Sequence, residues 1–451
     1  MRRRWIIPVL LTVLPAALPG RAPAQFYFPP LLGSTWETVP PAAFNWNSSE
    51  IDSLRDYLAS QNTRAFILLK SGRIAIEMYF GSFAKDSAWY WASAGKTLTS
   101  VLVGIAQQEG LLRISDTTSK WLGEGWTSTL PSNEEKITIR HQLTMTTGLD
   151  DGVADPYCTD ASCLLYKADP GTRWAYHNAP YTLLDSVMHA ATGIPLNQFF
   201  QSRIAVKTGM TGLFFRSEYN NVFASTARSM ARFGLLMLNR GVWNSTPVLG
   251  DTAYFRAMTT TSQMLNPSYG FLWWLNGKSA FMLPQTQLVF PGSLNPAAPP
   301  DMIAALGKNG QFINVVPGMD LVFVRMGDAP DDSMVPFQLN EEIWKRLNRV
   351  FGAMAVGQEE GVADRAKPAL SVWPNPCNAA SGIRYTIPEF GRVRVSVTDL
   401  LGRHVAVLFD GYRWPGEYTT RWDAAGAASG VYICTLAAGS MKTTQKIILA
   451  R

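Results

Sequence analysis

A serine hydroxyl attacks a carbonyl only when a neighbouring base takes its proton, and a lysine three residues further along a helix can be that base. Ser93-Ala-Gly-Lys96 has this spacing. It opens a segment that carries Leu98, Val101, Leu102 and Ile105 on one helical face and closes with Gly110 at a C′ position. The positive end of such a helix disfavours a charged lysine and favours an alkoxide at the serine. Ser-x-x-Lys alone is weak, because a surface serine and lysine at any helix start read the same way. A competing reading makes Ala94-Gly95-Lys96-Thr97 the end of a phosphate-binding loop. It fails at the other end, where the leading glycine would fall on Tyr90, between Trp89 and Trp91.

Two more clusters could join this pair. Tyr176-His177-Asn178 precedes Pro180 and an apolar-periodic run that ends at Gly193. Asn178 therefore reads as an N-cap. A tyrosine just ahead of a helix can project into a cleft and, with a lowered pKa, move protons. Asn178 either caps or offers its amide to a substrate, and the NH₂ stays free when the oxygen caps. His177 faces away from both neighbours in an extended segment and reads as structural. The third cluster is Gly307-Lys308-Asn309-Gly310-Gln311, ahead of strand-like runs at 312–316 and 321–324. On an edge strand it brings a positive charge and a close backbone amide; as an Asn-Gly hairpin turn it is only a connection.

The elements that must position these residues come from a chain of 451 residues, 47% hydrophobic and 16% charged, with mean hydropathy near zero. This excludes a disordered, collagenous or coiled-coil protein, and at about 150 residues per domain it leaves room for two or three units. Arg2, Arg3 and Arg4, the apolar run 5–18, and Ala22-Pro-Ala24 before Gln25 read as a signal peptide over residues 1–24. Its removal turns a net charge of +6 into 36 basic against 34 acidic residues, with no basic stripe. Nucleic acid is thereby a poor partner. No later stretch is long and apolar enough for a transmembrane helix.

Cys158 and Cys163 share one polar loop, and a local disulfide is expected there. A metal site is the weaker reading, because no histidine or further cysteine stands near in sequence. Cys377 and Cys434 either pair or sit buried as small apolar groups. Upstream of residue 355, long helical patterns alternate with short strands, an α/β (α+β) signature. Residues 356–369 read as a polar linker. Beyond them, short alternating runs at 382–387, 393–397, 418–422 and 430–436 predict a small antiparallel β-sandwich over 370–451.

The order Ser-x-x-Lys, Tyr-x-Asn, Lys-x-Gly, at these spacings, resembles the penicillin-recognising serine hydrolases. The resemblance is to the class C β-lactamase-like branch, with its D-Ala-D-Ala carboxypeptidases, carboxylesterases and 6-aminohexanoate-dimer hydrolases. Segments 137–149, 224–234 and 269–274 look like the family's too, so the resemblance covers about residues 40–355. It implies an antiparallel sheet flanked by helices, plus an all-helical region. It implies Ser93 as the acylated nucleophile, Lys96 as the group that deprotonates it, and Tyr176 as the proton shuttle. Asn178 would touch substrate and lysine, and Lys308 would bear on the tyrosine and on substrate carboxylates. Gly310 and Gln311 would complete the third motif, with the Ser93 and Gln311 amides as the oxyanion hole. No metal or cofactor is implied.

Lys-Asn-Gly stands where typical β-lactamases carry Lys-Thr-Gly. The expected substrate is therefore a small-molecule amide or ester, with esterase or small-amide hydrolase ahead of carboxypeptidase and β-lactamase. The alternative is a catalytically weak binding or sensing protein. Of Trp89, Tyr90, Trp91, Trp174, Trp273 and Trp274 most should be core, with Trp274 expected to line an apolar acyl pocket. At the other end, Trp373-Pro-Asn-Pro-Cys-Asn, Val397-Thr-Asp-Leu-Leu-Gly-Arg403, Trp422-Asp and Ser429-Gly-Val-Tyr432 resemble a type IX secretion sorting domain. That implies the type IX machinery as a partner, engaged through residues 370–451. It also implies passage through the periplasm to the cell surface or the medium.

Overall fold

Runs rich in Val, Ile, Leu and Phe on both sides of the chain pair into one antiparallel sheet of six strands. They are β1 (Thr63–Lys70), β2 (Arg73–Tyr79), β3 (Trp274–Leu275), β4 (Ile303–Gly307), β5 (Gln311–Val316) and β6 (Leu321–Gly327), in the spatial order β2-β1-β6-β5-β4-β3. The computed structural model describes residues 26–329, 335–352, 369–387, 391–413, 416–438 and 441–450. The predicted leader and nearly all of the predicted linker lie outside the described residues.

Every residue of β5 and β6 is buried, so both faces of the sheet centre must be covered. The helix α4 (Ala227–Leu238) packs on β1, β5 and β6 from one side. From the other side come α1 (Ser48–Ser60) and α5 (Phe337–Val350). Trp344 of α5 lies 5.5 Å from Phe323 and donates from Nε1 to Asn314 at 3.0 Å. The helical region is threaded by α2 (Lys96–Gln108), which ends, as its sequence predicts, before Gly110 with φ +73°. Its residues 96–106 are all buried, so this helix is covered all round rather than on one face.

Residues 369–449 supply seven strands in two sheets. The first sheet holds Ala369–Trp373, Ala380–Ile387 and Gly416–Asp423. The second holds His404–Arg413, Gly391–Asp399, Gly430–Ala438 and Met441–Leu449. Ile383, Tyr385, Val395, Val397, Trp422 and Leu436 fill a core of their own. This is the predicted sandwich. Cys377 and Cys434 are both buried and free, and burial pushes the Cys434 thiol up to about 12. The disulfide forms instead between Cys158 and Cys163.

Candidate active site

Ser93 does not open the α-helix itself. It sits in a 3₁₀ turn, Ala92–Gly95, and α2 begins at Lys96. Ala92 has φ +47°, an uncommon conformation for a residue with a Cβ, so the backbone is strained where Ser93 is presented. A 3₁₀ turn eclipses residues three apart. Lys96 Nζ accordingly donates to Ser93 Oγ at 3.0 Å. Ser93 is half-buried, whereas Lys96 is 4% exposed. Among the described residues Lys96 has no carboxylate partner; its Nζ lies 4.4 Å from the Tyr181 ring centroid and 5.2 Å from that of Tyr176. Burial without a counter-charge pulls its pKa down to about 7.

Tyr176 makes the third corner. Its hydroxyl lies near Ser93, and its ring stacks on Trp274 at 5.8 Å. Burial raises its pKa above the usual phenol value, with Ser93 pulling weakly the other way. Burial thus favours the neutral phenol over the phenolate at Tyr176. The next helix, α3 (Asn178–Thr182), starts one residue earlier than an Asn178 cap would give, with His177 at the N-cap position and no side-chain cap. Asn178 is left with a side-chain amide that has no partner among the described residues, Lys96 included. His177 is 2% exposed, neither ring nitrogen has a partner, and burial holds its pKa down at about 4. The segment is braced from 138–149: Ala175 donates to the Met145 carbonyl, and Gln142 Nε2 to that of Pro180 at 2.8 Å.

The third motif lies elsewhere than on an edge strand. Lys308–Gly310 is the turn between β4 and β5, with Asn309 and Gly310 both at positive φ. Lys308 is exposed and has no ion-pair partner among the described residues. Asn309 Nδ2 donates to the Tyr90 hydroxyl at 2.6 Å. Gly307 is the point of closest approach: a Cβ there would stand 2.6 Å from Trp91 O and 3.1 Å from Ser93 N.

This register bears on three expected substrate contacts, leaving none of the three side chains open to a substrate. Gln311 pairs with Gly307 on β5 and is fully buried, its side-chain amide bonded both ways to Gly327. Gly310 is also buried, and the space a side chain would need is filled by the Arg325 guanidinium. Trp274, at 2% exposure, backs Tyr176 from within the core instead of lining an open pocket. Trp91, Trp174 and Trp273 are core as expected, and Trp89 and Tyr90 are half-buried.

Beside Tyr176 and Asn178 opens a cleft of about 290 Å³. One wall is the disulfide loop, with Pro156 and Tyr157; the opposite wall is the turn 284–287. Gln287 is pinned there by its hydrogen bond to the Trp174 carbonyl at 3.1 Å. The charges at its rim neutralise one another, Arg173 with Asp151 at 2.6 Å and Lys167 with Asp150 at 3.4 Å.

Residues 55–334 match the protein family described as Beta-lactamase, well over half of the chain. The chain belongs to the beta-lactamase family. It is a serine hydrolase of that family in the broad sense, because the family name covers more than β-lactam cleavage. It is 22% identical to the 6-aminohexanoate-dimer hydrolase of Paenarthrobacter ureafaciens, across 73% of this chain and 86% of that protein. Among solved structures, a Bacillus anthracis protein assigned as a 6-aminohexanoate-dimer hydrolase superposes with a TM-score of 0.54 at 18% identity, covering 72% of this chain and 88% of its own. EstCE1, a hydrolase with promiscuous acyltransferase activity, superposes with a TM-score of 0.50 at 14% identity, covering 69% and 99%. At these identities the structures establish the fold alone. Residues 371–450 match the Secretion system C-terminal sorting domain, which marks the protein for type IX export.

Two residues of this beta-lactamase-family domain escaped the sequence reading. Arg325 on β6 is fully buried and donates to the carbonyls of Asn309, Gly310 and Gln61 and to Thr63 Oγ1, at 2.6 to 3.0 Å. It fastens the third-motif turn to the sheet. The one signal was a lone arginine in the apolar run Leu-Val-Phe-Val-Arg-Met. Tyr157 lines the cleft, and only its place beside Cys158 marked it out.

Among the described residues no helix is long and apolar enough to cross a membrane, and no group of three or more His, Cys, Asp or Glu could hold a metal ion.

Proposed function

We propose that this protein cleaves a small ester or amide through an acyl-enzyme on Ser93. The observation that carries the reading is a buried, uncompensated Lys96 in hydrogen-bond contact with the half-exposed Ser93 hydroxyl. In its neutral form Lys96 takes the Ser93 proton as Oγ bonds to the substrate carbonyl carbon. The carbonyl oxygen, now negative, is met by the Ser93 amide. Because the chain passes Ser93 at Gly307, the second donor is the next peptide N–H, that of Lys308, in place of Gln311. The tetrahedral carbon then expels the alcohol or amine, which leaves with a proton passed from Lys96 through Tyr176. Water repeats the sequence and releases the acid, restoring Ser93 and Lys96. Asn178 and Lys308 are assigned to substrate binding. A D-Ala-D-Ala peptide ranks behind esters and small amides, and a β-lactam last.

The test is intact-mass analysis of the full mature chain after exposure to p-nitrophenyl butyrate and, separately, a penicillin. The ester should be turned over or leave an adduct of the butyryl mass, and Ser93→Ala should show neither. A folded wild-type protein that neither reagent acylates would favour the binding protein over the hydrolase.

The sorting domain gives the enzyme a route out through the periplasm to the surface or the medium. Deleting residues 371–451 is expected to leave active enzyme in the periplasm. Undiminished release of the truncated chain would separate this domain from export.

A further inference from the structure

Besides the exposed Gln285 and one guanidinium nitrogen of Arg173, the cleft beside Tyr176 carries two polar side chains that the protein itself leaves unused. One is the Asn178 amide. The other is the Tyr157 hydroxyl, which has no hydrogen-bond partner among the described residues although the side chain is half-buried and lines the cleft. The two are held together by backbone: the Ala179 amide, one residue after Asn178, donates to the Pro156 carbonyl, one residue before Tyr157, at 3.2 Å. Tyr157 is fixed from its other side by an Asx turn, its amide donating to Asp155 Oδ1 at 2.9 Å, and by the Cys158–Cys163 bridge that follows. It is close enough to Tyr176 for the two phenols to act on each other electrostatically. The only formal charges at the rim are already paired with each other. The cleft therefore offers donors and an acceptor to a neutral polar group and no free charge to an ionic one.

We propose that Tyr157 is a specificity-determining residue that, with Asn178, grips an uncharged amide in the acyl group of the substrate, next to the carbonyl that acylates Ser93. The proposal rests on the hydrolase reading above and names the acyl donor within it. An amide presents one N–H and one C=O, which a phenol and a carboxamide can both satisfy. The acyl group is also the part that stays tethered through acylation and deacylation, so a built cleft acts on it in both steps.

Two esters with one leaving group test this. The p-nitrophenyl ester of N-acetylglycine carries the amide, and p-nitrophenyl pentanoate has CH₂–CH₂ in its place. Tyr157→Phe in the full mature chain should lower kcat/KM for the amide ester by about 3- to 10-fold, mainly through KM. It should leave the pentanoate within about two-fold, which also reports that the variant is folded and active. Equal effects on both esters, or none on either, would overturn the proposal while the hydrolase reading stands. If wild type turns over neither ester, and Ser93→Ala makes no difference, both readings fall together.

Discussion

Lys96→Met is expected to abolish acylation of Ser93 while making the protein harder to unfold. A positioned general base contributes about 10² to 10⁴-fold. Among the described residues Lys96 is the one amine in contact with Ser93, and burial disfavours the phenolate that Tyr176 would need to replace it. The turnover loss should therefore be about 10³-fold or more.

The stability change follows from the same burial. The native pKa of Lys96 is about 7, against about 10.4 in the unfolded chain. Between these values the unfolded chain holds a proton that the native state has released, so native stability rises with pH across that window. Below about pH 7 both states are charged, and the native state bears the whole cost of a buried ammonium, eased only by the faces of Tyr176 and Tyr181. The gain in melting temperature from methionine should therefore be largest below pH 7 and shrink toward pH 10. Wild-type kcat/KM should rise through about pH 7 as the neutral amine appears. Acylation of Lys96→Met at the wild-type rate would show that another group takes the proton.

What the sequence discloses of this site is what lies close along the chain. Ser93 and Lys96 are three residues apart, Tyr176 and Asn178 two, and Cys158 and Cys163 five; local geometry alone brings such groups together. The four sandwich strands with clean alternation were legible for the same reason. His404–Arg413, with Val405 and Val407 exposed, and the polar Met441–Leu449 carry no such pattern and were missed. Trp274 was misplaced, and the burial of the Gln311 side chain was not legible, because sheet register decides which way side chains point. On a strand buried along its whole length, as β5 is, polarity gives no hint of the facing side. Even the choice between capping and binding at Asn178 turned on a one-residue shift of the helix start. Arg325 depends on partners up to 264 residues away, which no spacing rule reaches.

That distance makes Arg325 the place where fold and chemistry should fail together. Its guanidinium fastens Gln61 and Thr63 at the start of β1 to the Asn309–Gly310 turn. Arg325→Met would leave one buried and two part-buried carbonyls short of a donor, at about 1 to 3 kcal/mol for the buried one and less for the others. Relief of a buried cation, whose pKa burial has pulled down to about 10, offsets part of this. The net loss should be about 3 kcal/mol, read as a lower denaturation midpoint at unchanged m. The turn so loosened carries the Lys308 amide, proposed above as the second oxyanion donor, and losing one such donor costs about 10²- to 10³-fold in kcat. The folded variant should therefore lose kcat with little change in KM. Arg325→Lys should rescue neither property in full, because one ammonium cannot span the fork of acceptors that the guanidinium fills. A variant that is less stable yet keeps wild-type kcat would show that Arg325 secures the sheet alone and that the Lys308 amide is held in place by the Asn309–Tyr90 bond and the close contact at Gly307.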